Sequence, residues 1–171
     1  MNAGIIGAIA LFIIVIVFWV VMTLKAFRTL AHSSDEGFHA VEYYFGRRRN
    51  LVDDLTKLIK KQMPEDAEVV QNVIDANRLA KEAASRKEKL QTEGALADTL
   101  DTLFMAAERY PDVSDSKRYE SLKEKITDAN DNILKTGKMY NSIVRMLNQR
   151  VNQFPTKLIA KLFGFKEQPM L

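Results

Sequence analysis

From Ala3 to Leu24 the chain runs 22 residues, AGIIGAIALFIIVIVFWVVMTL, without one ionisable side chain. A helix of that length rises roughly 33 Å, enough for a bilayer core of about 30 Å. A cleavable signal peptide would instead carry a basic leading region, a shorter apolar core and a small-x-small exit. Here only Met1 and Asn2 precede the run, and it ends Val21, Met22, Thr23, Leu24. The reading is an uncleaved transmembrane anchor over residues 1–24. Lys25 and Arg28 follow the run, and no basic side chain precedes it. Basic residues stay on the cytoplasmic side. The expectation is therefore a single pass in a bacterial inner (cytoplasmic) membrane, with the N-terminus outside and the following domain cytoplasmic.

The remainder must fold by packing alone, because cysteine is absent and neither disulfides nor thiolate metal sites can staple it. Four prolines and seven glycines leave long uninterrupted stretches that favour helices over a many-turned β fold. Ser33-Ser34-Asp35-Glu36 has the form of a capping box. Beyond it Phe38, Val41, Phe45, Val52, Leu55 and Ile59 recur at three- and four-residue steps, with Arg48 in the one missing place. Such a stripe is one face of a helix, which Pro64 is expected to stop just after Met63. Val69, Val73, Ala76, Ala80 and Ala83 make a second, thinner stripe. Leu96, Leu100, Leu103, Ala107 and Tyr110 make a third, closed by Pro111. Ser85-Arg86-Lys87-Glu88 and Gly94 both offer breaks, so residues 65–109 read either as two helices or as one interrupted helix. A last stripe runs from Tyr119 through Ile126, Ile133, Tyr140 and Leu147 to Val151, on a helix expected from near Ser114 to about Gln153. Short connections favour antiparallel neighbours. The fold class is all-α: an N-terminal transmembrane helix, then an antiparallel up-and-down bundle of long helices over residues 25–154. Residues 155–171 form a short apolar tail whose helical part ends around Gly164.

GRRRNLVDDLTKLIK (Gly46 to Lys60), AAERYPDV (Ala106 to Val113), KMYNSIVRMLNQRVNQFP (Lys138 to Pro155) and LIAKLFGF (Leu158 to Phe165) stand in an order that closely resembles the LemA family. The family usually has proline where this chain has Asp53, and its Tyr-Asn entry before Gly46 is absent here. The resemblance implies a helical bundle on a membrane anchor, with no established enzymatic activity and a role in cell-envelope organisation.

No side-chain set asks for a cofactor or a metal. His39 and Glu42 can share a helix face, but a metal site recruits three or four ligands, and His32 and His39 read as solvated or capping. Asp53 and Asp54 are adjacent and diverge on a helix, and no HExxH, GxSxG or phosphate-cradling loop occurs. No catalytic residue is assigned, and the chain is not expected to be an enzyme. Arg48, on the apolar phase of its helix, is expected to pair inside the bundle with an acid such as Glu108, leaving Arg47 and Arg49 solvated. Tyr110, Pro111, Tyr140, Asn141, Phe154 and Pro155 read as packing and corner residues. The tail, with Leu158, Ile159, Leu162, Phe163 and Phe165, has three possible seats: a neighbouring copy, the membrane surface or its own bundle.

A net charge of +3 is too small to imply nucleic acid. The expected partners are the lipid bilayer and further copies of the chain in a homo-oligomeric scaffold. The alternative is an adaptor that recruits another protein through an exposed helix face.

Overall fold

The computed structural model describes residues 2–171, with side chains from Gly4 onward, so the first three positions of the expected anchor lie wholly or in side chain outside the described residues. Six helices follow one another: α1 (Asn2–Ile59), α2 (Ala67–Glu82), α3 (Arg86–Ala107), α4 (Pro111–Ser114), α5 (Lys117–Asn152) and α6 (Thr156–Phe163). No strand occurs among the described residues. The all-α expectation holds.

The backbone gathers into two compact units. The first comprises Met1–Gly37 with Tyr140–Met170, and the second Phe38–Met139 with Leu171.

In the second unit the long segments alternate in direction. Arg49 meets Ala80 and Asp53 meets Asn77, so α2 turns back along α1. Glu42 meets Lys89 and Arg48 meets Glu93, so α3 runs the same way as α1. Arg48 also reaches Asn130, and Phe104 lies under Lys123, so α5 runs back against both. The core takes Val52, Leu55 and Ile59 from α1, and Val70, Val73 and Ala80 from α2. Leu96, Leu100 and Leu103 of α3 and Tyr119, Leu122 and Ile126 of α5 complete it. Burying a side chain of this size contributes about 1.5–3 kcal/mol. The first, third and fourth stripes are therefore the core faces expected of them. The second is offset: its inward face is Val70, Val73, Asn77 and Ala80.

Three helix ends differ from expectation. Ser33 and Ser34 begin no helix, because α1 passes through them. A capping box works only where the chain arrives non-helically. Between Gly7 and Gly37 there is neither glycine nor proline, and continuing a helix is far cheaper than nucleating one. Proline disfavours helical geometry at the residue before it, but α1 ends at Ile59, four residues ahead of Met63. A tight turn, Gln62 N–H to Ile59 O at 2.8 Å, then tucks Met63 fully into the core. Finally, α5 starts at Lys117 because Pro111 opens the one-turn α4 just before it.

Ser85 does what its motif promised. Its hydroxyl accepts from Glu88 N–H at 3.2 Å while the Glu88 carboxylate accepts from Ser85 N–H at 3.0 Å. That box starts α3, so residues 65–109 hold two helices, and Gly94 lies inside the second.

In the first unit, Phe27, Leu147, Ile159 and Ala160 form a small core, with Val20, Leu24, Leu30, Val151 and Phe165 packed against it. Phe27 and Phe165 stack at 4.8 Å between centroids. At Gly37 an added Cβ would lie 3.6 Å from the Tyr140 backbone, so the bare glycine lets α5 approach closely. Gly164, at φ 76°, ends α6 in the left-handed conformation that glycine adopts most easily. The chain then returns along α5. Asn148 donates to Gln168 O at 2.9 Å and accepts from Gln168 N–H at 2.8 Å, and Tyr140 donates its hydroxyl to Pro169 O at 2.5 Å. Before this core, every described side chain from Ile5 to Trp19 is exposed. The apolar window in this part of α1 has a mean hydropathy of 3.2 and none of it is buried, so it is long and apolar enough to cross a membrane.

Candidate functional site

The densest polar arrangement lies inside the second unit. Arg48 enters the core because its place on α1 continues the stripe of Phe45 and Val52. Its guanidinium donates through Nη2 to Glu93 Oε2 and to Glu93 O, both at 2.6 Å, and through Nη1 to Asn130 Oδ1 at 2.9 Å. Arg48 and Glu93 are 3% and 1% exposed, so both charges are taken almost wholly out of water. Such burial is costly and is offset only when the pair is close and the remaining donors are used. Arg49 supplies a second cation. It donates to Glu93 Oε1 at 2.9 Å and to Ala80 O at 3.1 Å. Asn77 extends the chain of bonds, donating to Arg49 O at 3.1 Å and Asp53 Oδ1 at 2.8 Å, while Lys81 meets Asp53 Oδ2 at 2.5 Å. Asp53, which stands where the LemA pattern has proline, thus joins α1 to α2 through two side chains.

Two expectations are corrected by this geometry. Arg48 pairs with Glu93, not Glu108. Residue 108 ends α3, about 22 Å further along that helix at 1.5 Å per residue, and its side chain is exposed. Arg49 is also not merely solvated, since it holds the same carboxylate from the other side. Arg47 is exposed, as expected. Glu93, Asn77 and Asn130 carry no part in the sequence reading. Glu93 nevertheless announces itself in the way Arg48 does: it lies one step before Leu96 on the α3 stripe, a charge on an apolar phase.

Beside this cluster lies a cavity of about 260 Å³ whose walls include Phe45, Arg48, Glu93, Asn130, Ile133 and Leu171. The Leu171 side chain lies where a Cβ on Gly137 would be, so the absence of a side chain at residue 137 gives it room. Arg48 Nε is buried without a hydrogen-bond partner.

Elsewhere several titratable groups make local pairs. His32 lies 3.5 Å from Glu36, and His39 lies 3.5 Å from Glu42. Glu42 also takes the Lys89 ammonium, a bond that holds its carboxyl below the usual range against the opposing effect of burial. No group of three or more His, Cys, Asp or Glu is placed to hold a metal among the described residues. Tyr110 donates to Asp66 at 2.8 Å, and Arg109 meets the same carboxylate at 2.6 Å, so this corner is tied by its polar groups. Burial, and secondarily the charge of Glu108, pushes the Tyr119 hydroxyl up to about 12. Pro111 opens α4, Tyr140 is buried, Asn141 is half-buried, and Phe154 and Pro155 are exposed. The central cluster pairs its charges with one another and presents no activated nucleophile, so its chemistry is that of a polar lock between four helices.

These features define an all-helical protein whose N-terminal helix is apolar enough for a membrane and whose bundle is locked by buried charge. The LemA family model matches residues 37–171, and the chain belongs to the LemA family. That family is not known as an enzyme family. No curated protein matches the chain.

Proposed function

We propose that this protein is a non-enzymatic, membrane-anchored scaffold of the bacterial cell envelope, which self-associates through its cytoplasmic helical domain. The observation that carries the proposal is the N-terminal apolar helix, exposed along its whole hydropathic window and continuous with the helix that supplies the bundle's Arg48. An exposed apolar helix is stable where lipid covers it, and Lys25 and Arg28 at its end favour a cytoplasmic exit. Confinement in a shared bilayer raises the effective concentration of the domains, so weak helix contacts suffice for assembly. The buried charges satisfy one another, which supports a structural role over a catalytic one. The second reading is an adaptor for another protein, favoured by Leu134 and Met139, which stand 60% and 66% exposed on α5.

Sizing of the full-length protein in mild detergent separates the two. Discrete homo-assemblies are expected; a monomer that enlarges only with a second protein would replace the scaffold by the adaptor. Orientation has its own measurement, made clean by the absence of native cysteine. A cysteine at Asn2 is expected to react with an impermeant thiol reagent on intact cells, and one at Asp115 is not. The opposite labelling would reverse the topology.

A further inference from the structure

The short helix α6 carries two apolar faces, and only one is used by the protein. Ile159 and Ala160 are buried in the small core with Val20, Leu24 and Phe27. On the far side Leu158 and Leu162 are 61% and 77% exposed, and Phe154, in the turn that leads into α6, is 77% exposed. Lys157 and Lys161 occupy the same outer half, also exposed. At 100° per residue the two lysines lie side by side along one edge and the two leucines along the next. Leucines bordered by a row of lysines are the pattern of a helix that lies in a membrane surface, with its apolar side among the acyl chains and its ammonium groups among the phosphates.

The position of α6 supplies the second, independent argument. It packs on α1 around Leu24 and Phe27, where the apolar run ends and the charged sequence begins. Phe27 lies about 4.5 Å beyond Leu24 along the helix axis, so a span ending at Leu24 holds α6 at the level of the headgroups. An open groove of about 810 Å³ continues the apolar surface from the span toward α6. Met22, Met146 and Phe154 line it, with Lys25 and Arg150 at its walls. At the end of the apolar run and in the tail the cations Lys25, Arg28, Lys157, Lys161 and Lys166 are exposed, against one exposed acid of the tail, Glu167. That balance suits an anionic leaflet.

We propose that α6 is an interfacial membrane helix, with Phe154, Leu158 and Leu162 set into the headgroup boundary of the anionic leaflet that the N-terminal span enters. The proposal rests on the membrane-spanning reading of α1. It gives the chain a second lipid contact, distant in sequence from the first, and fixes the roll of α1 about its own axis as a single span does not.

Trp19, the one tryptophan of the chain, separates the two readings. The full-length protein is reconstituted into phosphatidylcholine–phosphatidylglycerol vesicles whose acyl chains are brominated either near the headgroup or near the terminal methyl. Wild-type Trp19 emission reports the span. Leu158→Trp and Leu162→Trp, each combined with Trp19→Phe, report α6; both sites lie off its buried face, so the larger ring is accommodated. Trp19 is expected to lose emission to brominated chains. At residues 158 and 162 the loss is expected to be large with shallow bromines and small with deep ones, and to weaken when phosphatidylglycerol is replaced by phosphatidylcholine. Quenching of Trp19 with none at either α6 position would overturn the interfacial helix and leave the span intact. No quenching of Trp19 would overturn the span and the interfacial helix together.

Discussion

Glu93→Leu is expected to lower the unfolding free energy of the detergent-solubilised full-length protein by about 3–5 kcal/mol, the usual cost of removing one partner from a buried ion pair. The carboxylate is 1% exposed and takes Arg48 on Oε2 and Arg49 on Oε1, so its loss strands two cations, one of them almost fully buried. Arg48→Met is expected to cost less, because Arg49 still neutralises Glu93. The combined Arg48→Met/Glu93→Leu protein should recover much of the loss, since an apolar pair of similar volume replaces charges that were costly to desolvate. Urea titrations followed by helical circular dichroism close the cycle. Additive single effects, with no coupling between the two positions, would mean that Arg48 and Glu93 do not share a buried site.

What is legible in the sequence is periodic, and what is not is relational. Phe38, Val41, Phe45, Val52, Leu55 and Ile59 repeat at helical spacing, and all are buried. A single-helix property of that kind survives any arrangement of the other helices. Arg48 was visible for the same reason, as a charge on an apolar phase. Its partner was not, because the choice between Glu93 and Glu108 depends on the register of α3 against α1, which no one-helix pattern contains. The Ser33 and Ser85 boxes have nearly the same local chemistry and opposite outcomes. Ser85 follows a real break, whereas Ser33 lies within a run that nothing interrupts. Phe27 escaped altogether: it stands just beyond an uncharged run, where lipid-facing and core-facing apolar residues look alike. The same ambiguity left the seat of the tail open. Ile159 and Ala160 lie against α1, and Leu158 and Leu162 do not.

Phe27→Ala is expected to be as damaging to the first unit as Glu93→Leu is to the second. The ring is fully buried and stacks on Phe165, with Leu147, Ile159 and Ala160 in the same core. Truncating a buried phenylalanine typically costs about 3–5 kcal/mol, through lost transfer energy and the cavity left behind. So small a core has few other contacts to absorb that loss, so the response is expected to be local undocking of α6, with the bundle core of Leu96, Leu100 and Ile126 still formed. Limited trypsin digestion of the full-length protein reads this directly. Cleavage after Lys157, Lys161 and Lys166 should accelerate, while the large helical signal persists. Phe27→Leu, which keeps most of the apolar volume, should restore much of the protection. Unchanged cleavage in Phe27→Ala would show that α6 is held by something other than this core. Rapid cleavage throughout the chain would show that the two units unfold as one.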